Sequence, residues 1–230
     1  MNFMNNRKTI LIILILTVVA VAILYLLKNS SQKQTPTTSP SSQNNQQTTT
    51  TPPAGQQNTA ITADFQPPLN RAGERVTKKP FGIYITKQNS PIQPEKFTGY
   101  HTGADFEIFP DELNAEVQAH AVCTGKLGLK KYASGYGGVV VQNCILNNEP
   151  ITVIYGHLKL ASIILNTGDN LNVGDVIGVL GAAYSTETDG ERKHLHLGFH
   201  KGTAINILGY VSSQSQLSDW IDPCPYVCHD

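Results

Sequence analysis

Three short segments concentrate side chains that can bind a metal ion and move protons: His101-Thr-Gly-Ala-Asp105, Tyr155-Gly-His157-Leu158 and His194-Leu-His196. Side chains two apart on a strand point to the same face, so His194 and His196 project together. His101 and Asp105 also have even spacing and converge if their segment is extended. Two imidazoles and one carboxylate suit zinc, bound at about 2.0–2.2 Å, and three protein ligands leave a coordination position for water. That is the pattern of a catalytic site rather than a closed structural one. Each piece alone is a weak signal. A His-x-His pair also describes two half-exposed strand residues, and His157 alone a hydrogen-bonded histidine at a strand end. The combination carries the reading, together with Gly103, Gly156 and Gly198, which suit close backbone approach. The helix-borne His-Glu-x-x-His motif is absent.

The elements that must position these residues are strands. From about Pro67 onward, short apolar stretches alternate with Gly, Asn, Asp and Pro: residues 81–86, 138–142, 151–155, 176–180 and 195–199. They are rich in β-branched and aromatic residues and bounded by turn formers, with Gly168-Asp169 and Gly174-Asp175 punctuating two connections. No long helical period separates them, so the expected fold is all-β, a single antiparallel sandwich or barrel-like domain. The four cysteines allow three pairings in an exported domain. A hairpin turning about Ala133-Ser134 would set Cys123 against Cys144 and leave Cys224 to pair with Cys228. A second metal site using Cys224, Cys228 and His229 is disfavoured, because thiolate sites usually muster four ligands.

With these motifs in hand, the chain resembles the lysostaphin-type (M23) family of zinc endopeptidases from about Phe97 to Tyr210. The likeness rests on His101-Thr-Gly-Ala-Asp105, Gly135-Tyr-Gly-Gly-Val-Val-Val141, Val153-Ile-Tyr-Gly-His157-Leu, Gly174-Asp-Val-Ile-Gly178 and His194-Leu-His196-Leu-Gly. The resemblance implies that His101, Asp105 and His196 are zinc ligands and that His157 and His194 are non-ligand catalytic histidines. It also implies cleavage of peptide bonds in peptidoglycan stems or cross-bridges. A regulatory module that keeps the fold and activates another wall hydrolase is the alternative; such relatives typically lack one or more ligands, and this chain lacks none. His120, His200 and His229 read as strand-surface, strand-end and incidental histidines. The polar loop from Tyr184 to Lys193 reads as a solvated connection, and the tail after Asp219 lies outside the resemblance.

The rest of the chain bears on location. After Arg7 and Lys8 an apolar run extends from Ile10 to Leu27 and ends at Lys28. A helix of about 20 residues crosses about 30 Å of hydrocarbon, so the run is just long enough for a transmembrane anchor. Its end, Tyr-Leu-Leu-Lys, offers no small-x-small cleavage site, which favours an anchor over a cleaved signal; both readings export the remainder of the chain. Residues 1–28 are thus a cytoplasmic tip and membrane anchor. Residues 29–64, rich in Thr, Ser, Gln and Pro, are a disordered linker. Residues 65–230 are the folded domain, outside the cell membrane. The 17 basic and 17 acidic side chains balance. No basic surplus points to a nucleic-acid partner.

Overall fold

The computed structural model of the chain describes residues 65–229. The expected anchor over Ile10–Leu27 and the linker over residues 29–64 lie outside the described residues. Among those described, no helix is long and apolar enough to cross a membrane.

Among the described residues the domain's strands all pair antiparallel, and α-helix is confined to two short segments, Gln214–Leu217 and Cys224–Val227. In chain order its strands are β1 (Tyr84–Ile85), β2 (Gly99–His101), β3 (Gly103–Glu107), β4 (Gln118–His120), β5 (Gly125–Ala133) and β6 (Gly137–Leu146). They continue as β7 (Glu149–Leu158), β8 (Asn170–Leu171), β9 (Val176–Val179), β10 (His194–Lys201), β11 (Tyr210–Val211) and β12 (Trp220–Ile221). A seven-stranded sheet runs β12-β10-β7-β6-β5-β8, with β3 also paired to β10. A three-stranded sheet, β1-β2-β11, and the pair β4-β9 flank it. The expected strand over residues 81–86 shrinks to Tyr84–Ile85. Phe81 is followed by Gly82, whose φ of 75° turns the chain before the strand begins.

Strand composition explains how the central sheet is buried. Leu195, Leu197 and Phe199 of β10, Ala104 and Phe106 of β3, and Val153 and Tyr155 of β7 all enter one apolar cluster. The opposite face of β6 and β7 supplies Val139, Val141 and Ile154 to a second, smaller cluster with Tyr136 and Trp220. The unbroken Val139-Val140-Val141 run is that of a strand covered on both faces. The C-terminal tail, which carries no motif of its own, closes this structure: Trp220 pairs opposite His200 through β12, and Val227 is wholly buried.

A polar joint ties the sheet to the segment before β5. The Tyr155 hydroxyl accepts from the Val122 amide (2.9 Å) and donates to Gln142 Oε1 (2.7 Å), while Gln142 Nε2 donates to the Cys123 carbonyl (2.7 Å). Cys123 and Cys144 are joined beside it, with Cα atoms 6.2 Å apart, and Cys224 and Cys228 are joined near the C-terminus. Tyr155→Phe removes one hydroxyl and orphans two buried groups. It should lower stability by about 1–3 kcal/mol in urea unfolding.

Candidate metal centre

Register places the predicted site residues. On β10, paired antiparallel with β3, His196 faces Asp105 and His194 faces Glu107; on its other side His196 faces Gly156 of β7. Because side chains alternate, the leucines and Phe106 go to the core while His194, His196 and Asp105 share the opposite face. His101 ends β2, and Gly103 turns the chain into β3. A side chain at Gly103 would meet the Leu197 carbonyl and sit 2.8 Å from His196 Nε2, so the crossing needs glycine.

Three donor atoms converge. His101 Nε2 lies 3.0 Å from His196 Nδ1 and 3.2 Å from Asp105 Oδ1, and His196 Nδ1 lies 3.1 Å from Asp105 Oδ1. Donors at roughly 2.0–2.1 Å from a tetrahedral zinc sit roughly 3.3 Å apart, so the triangle fits that ion. All three residues are buried. His101 Nδ1 lies 3.2 Å from the Pro80 carbonyl, which can only accept, so Nδ1 donates there and Nε2 is the ring nitrogen turned to the triangle. Burial opposes ionisation of Asp105, but His101 and His194 beside it outweigh this and hold its carboxyl well below the usual range. Burial also pushes His196 down to about 4, leaving the neutral imidazole that a metal requires.

His157 reaches the cluster by a different device. Gly138 pairs with Leu158 and Val139 with Gly156, so His157 is an extra residue in a β-bulge, with φ of 64°. Without the bulge it would follow Tyr155 into the core, two residues on along the same face. The left-handed backbone costs about 1–3 kcal/mol at a non-glycine residue. The bulge swings the ring onto that of His194, with centroids 4.2 Å apart, and beside Tyr136. Burial first, and then His194, hold His157 well below its ordinary value, so its ring is neutral. Its Nδ1 is buried without a partner among the described residues. His194 Nδ1 donates to the Arg192 carbonyl at 2.8 Å, and its Nε2 lies 3.3 Å from Asp105 Oδ2.

A pocket of about 330 Å³ is lined by all five of these residues together with Tyr136, Arg192 and Tyr210. Several of its residues escape a reading of the sequence alone. Tyr136 lies on Gly156, where any side chain would strike its ring, and its ring meets that of His196 edge-on at 5.3 Å. Tyr210 is stacked between Phe97 and His101 and accepts from Lys79 Nζ at 3.0 Å. Residues 191–193 are buried, at 9%, 7% and 5% exposure, which corrects the expectation of a solvated loop. Arg192 turns inward onto Asp105 and Glu107. His200 also departs from expectation. It is covered by Trp220, with rings 4.9 Å apart, rather than solvated, and it does not line the pocket.

Lys79 is held by Glu95 at 2.5 Å, and Glu95 also accepts from Ser90 and from the amides of Lys96 and Phe97. Burial raises the Glu95 pKa, but the Lys79 and Ser90 hydrogen bonds outweigh it, so it falls below 4.5. A depressed carboxyl contributes stability above its unfolded value that is lost as pH falls through the folded one. Below about pH 4.5, stability of the wild type should therefore drop more steeply than that of Glu95→Gln, as read by denaturant midpoints across pH.

Residues 99–207 match the model of peptidase family M23, a span that contains all five clustered residues. No curated protein matches the chain. Among solved structures, the chain is similar to the catalytic domain of the antimicrobial peptidase lysostaphin from Staphylococcus simulans. Identity there is 20%, covering 64% of this chain and 87% of that one, with a TM-score of 0.44. It is also similar to LytU (24% identity, 66% and 83% coverage, TM-score 0.45). A zinc-containing peptidase from Vibrio cholerae is similar at 19% identity, with 60% and 36% coverage and a TM-score of 0.41.

Proposed function

We propose that this chain, which belongs to peptidase family M23 through residues 99–207, is a zinc-dependent endopeptidase that hydrolyses peptide bonds in peptidoglycan stems or cross-bridges. The observation that carries the reading is one pocket that joins a three-donor triangle to two further imidazoles outside it. His101, Asp105 and His196 would hold the zinc, which supplies Lewis acidity that polarises a scissile carbonyl and lowers the pKa of water toward about 7. His157, neutral and with a free ring nitrogen, accepts the proton of the attacking water. His194, whose Nδ1 donates to a carbonyl and whose Nε2 faces the Asp105 carboxylate, is placed to pass a proton to the leaving amine as the C–N bond breaks. The proton taken by His157 then leaves to solvent, and exchange with solvent returns both rings to their starting state.

Wall peptides as substrate follow from the family's chemistry. The apolar segment Ile10–Leu27 and the two disulfides support an exported, membrane-tethered domain. Digestion of purified peptidoglycan, followed by mass spectrometry of the fragments, tests the substrate class. New amino termini should appear in stem or cross-bridge peptides while the glycan stays intact, and a chelator should suppress them. Intact peptides across several wall chemistries would reject the proposal and favour a regulatory role.

A further inference from the structure

Arg192 is buried, and its guanidinium is wedged against two carboxylates of β3. Nη2 donates to Asp105 Oδ2 at 2.9 Å and to Glu107 Oε1 at 2.5 Å, while Nε reaches both Glu107 oxygens at 3.0 Å. Strand alternation explains the arrangement: continuing the face of His196 and His194 back by two residues gives Arg192, and continuing that of Asp105 forward by two gives Glu107. The neighbouring Lys193 fastens the same chain end on the other side, donating to the carbonyls of Glu112 (2.9 Å) and Ala115 (2.5 Å).

The consequence falls on Asp105. Its Oδ1 stands in the donor triangle, 3.1 Å from His196 Nδ1, while Oδ2 accepts from Arg192 at 2.9 Å, the shorter of its two contacts, with His194 Nε2 at 3.3 Å. A free carboxylate offers a metal either oxygen or both. We infer that Arg192 is a positioning residue that makes Asp105 a one-oxygen ligand, and that Glu107 is there to hold Arg192 in place. Arg192 and Glu107 have opposite charges, so the pair orients the ligand without changing the net charge around the metal. The competing account is plain neutralisation, in which Arg192 merely balances Glu107, a buried carboxylate that would otherwise be costly.

The inference rests on the zinc reading, and the test separates the two. Arg192→Gln alone leaves two carboxylates side by side in a buried site and would confound folding with positioning. The informative comparison is Glu107→Gln against the double variant Glu107→Gln/Arg192→Gln in the full chain. Both lack the Glu107 charge and differ only in whether Asp105 keeps its guanidinium. Zinc affinity is read by competition with a chromophoric chelator on metal-free protein, alongside thermal unfolding, kcat and KM. Groups that orient a ligand from behind typically contribute about 10–100-fold in metal affinity. The double variant should unfold cooperatively yet bind zinc about 10–100-fold more weakly than Glu107→Gln, with kcat falling more than KM rises. Glu107→Gln/Arg192→Lys should recover part of the loss, because an ammonium can still reach Oδ2. Equal zinc affinity in Glu107→Gln and the double variant overturns the inference and leaves the zinc reading standing. A wild-type chain that binds no zinc overturns both.

Discussion

Replacing His196 with alanine should remove metal and hydrolysis together. His196 supplies one corner of the donor triangle, 3.0 Å from His101 Nε2 and 3.1 Å from Asp105 Oδ1. Two donors cannot close a site that needs three, so bound zinc should fall from about one per chain to near none. Peptide cleavage should fall with it to the uncatalysed background. Elemental analysis of the purified variant, beside an assay of new amino termini, reads both. The core face of β10 is untouched, since Leu195, Leu197 and Phe199 point the other way, so the variant should still fold.

His157→Ala should behave differently, and this contrast is the second large effect. The ring lies outside the triangle and packs on His194, so zinc content should stay near the wild-type value. Losing a general base typically slows turnover by about 10²–10⁴-fold. Zinc loss equal to that of His196→Ala would reject the division of roles. The bulge adds a further expectation. With φ of 64°, alanine at this position remains strained, whereas glycine is not. His157→Gly should therefore be more stable than His157→Ala by about 1 kcal/mol in denaturant unfolding, while both are inactive.

How much of this is legible in the sequence depends on which rule governs each residue. Period-two alternation is a local property, and it correctly groups His194 with His196 and places Leu195 and Leu197 in the core. The same rule, carried two residues further along each strand, would have named Arg192 and Glu107. They escape it because a run of polar residues before a strand looks like solvated loop, and nothing local says that its end is buried. The bulge at His157 is not legible. A Tyr-Gly-His sequence does not say which of its residues is extra, because that is set by the register with Gly138 and Val139 on the neighbouring strand. The convergence of β2, β3, β7 and β10 on one point likewise comes from the motif pattern rather than from periodicity. His200 follows the alternation but is capped by Trp220, which arrives from a tail that no local signal ties to β10.

The disulfide between Cys123 and Cys144 illustrates a middle case. The hairpin reading sets the two cysteines against each other, and the structure joins them, but Cys123 lies just before β5 rather than within it. The paired strands fix the approach, while the exact residue depends on how the chain leaves the sheet toward the Val122–Tyr155 joint.

The central claim is that His101, Asp105 and His196 form a catalytic zinc centre. Its most direct test is a zinc titration of metal-free, full-length protein acting on purified peptidoglycan, with new peptide amino termini counted at each addition. A catalytic zinc centre predicts no cleavage without metal, a linear rise, and saturation at about one zinc per chain. Cleavage that is indifferent to zinc, or none at any zinc level, would contradict it.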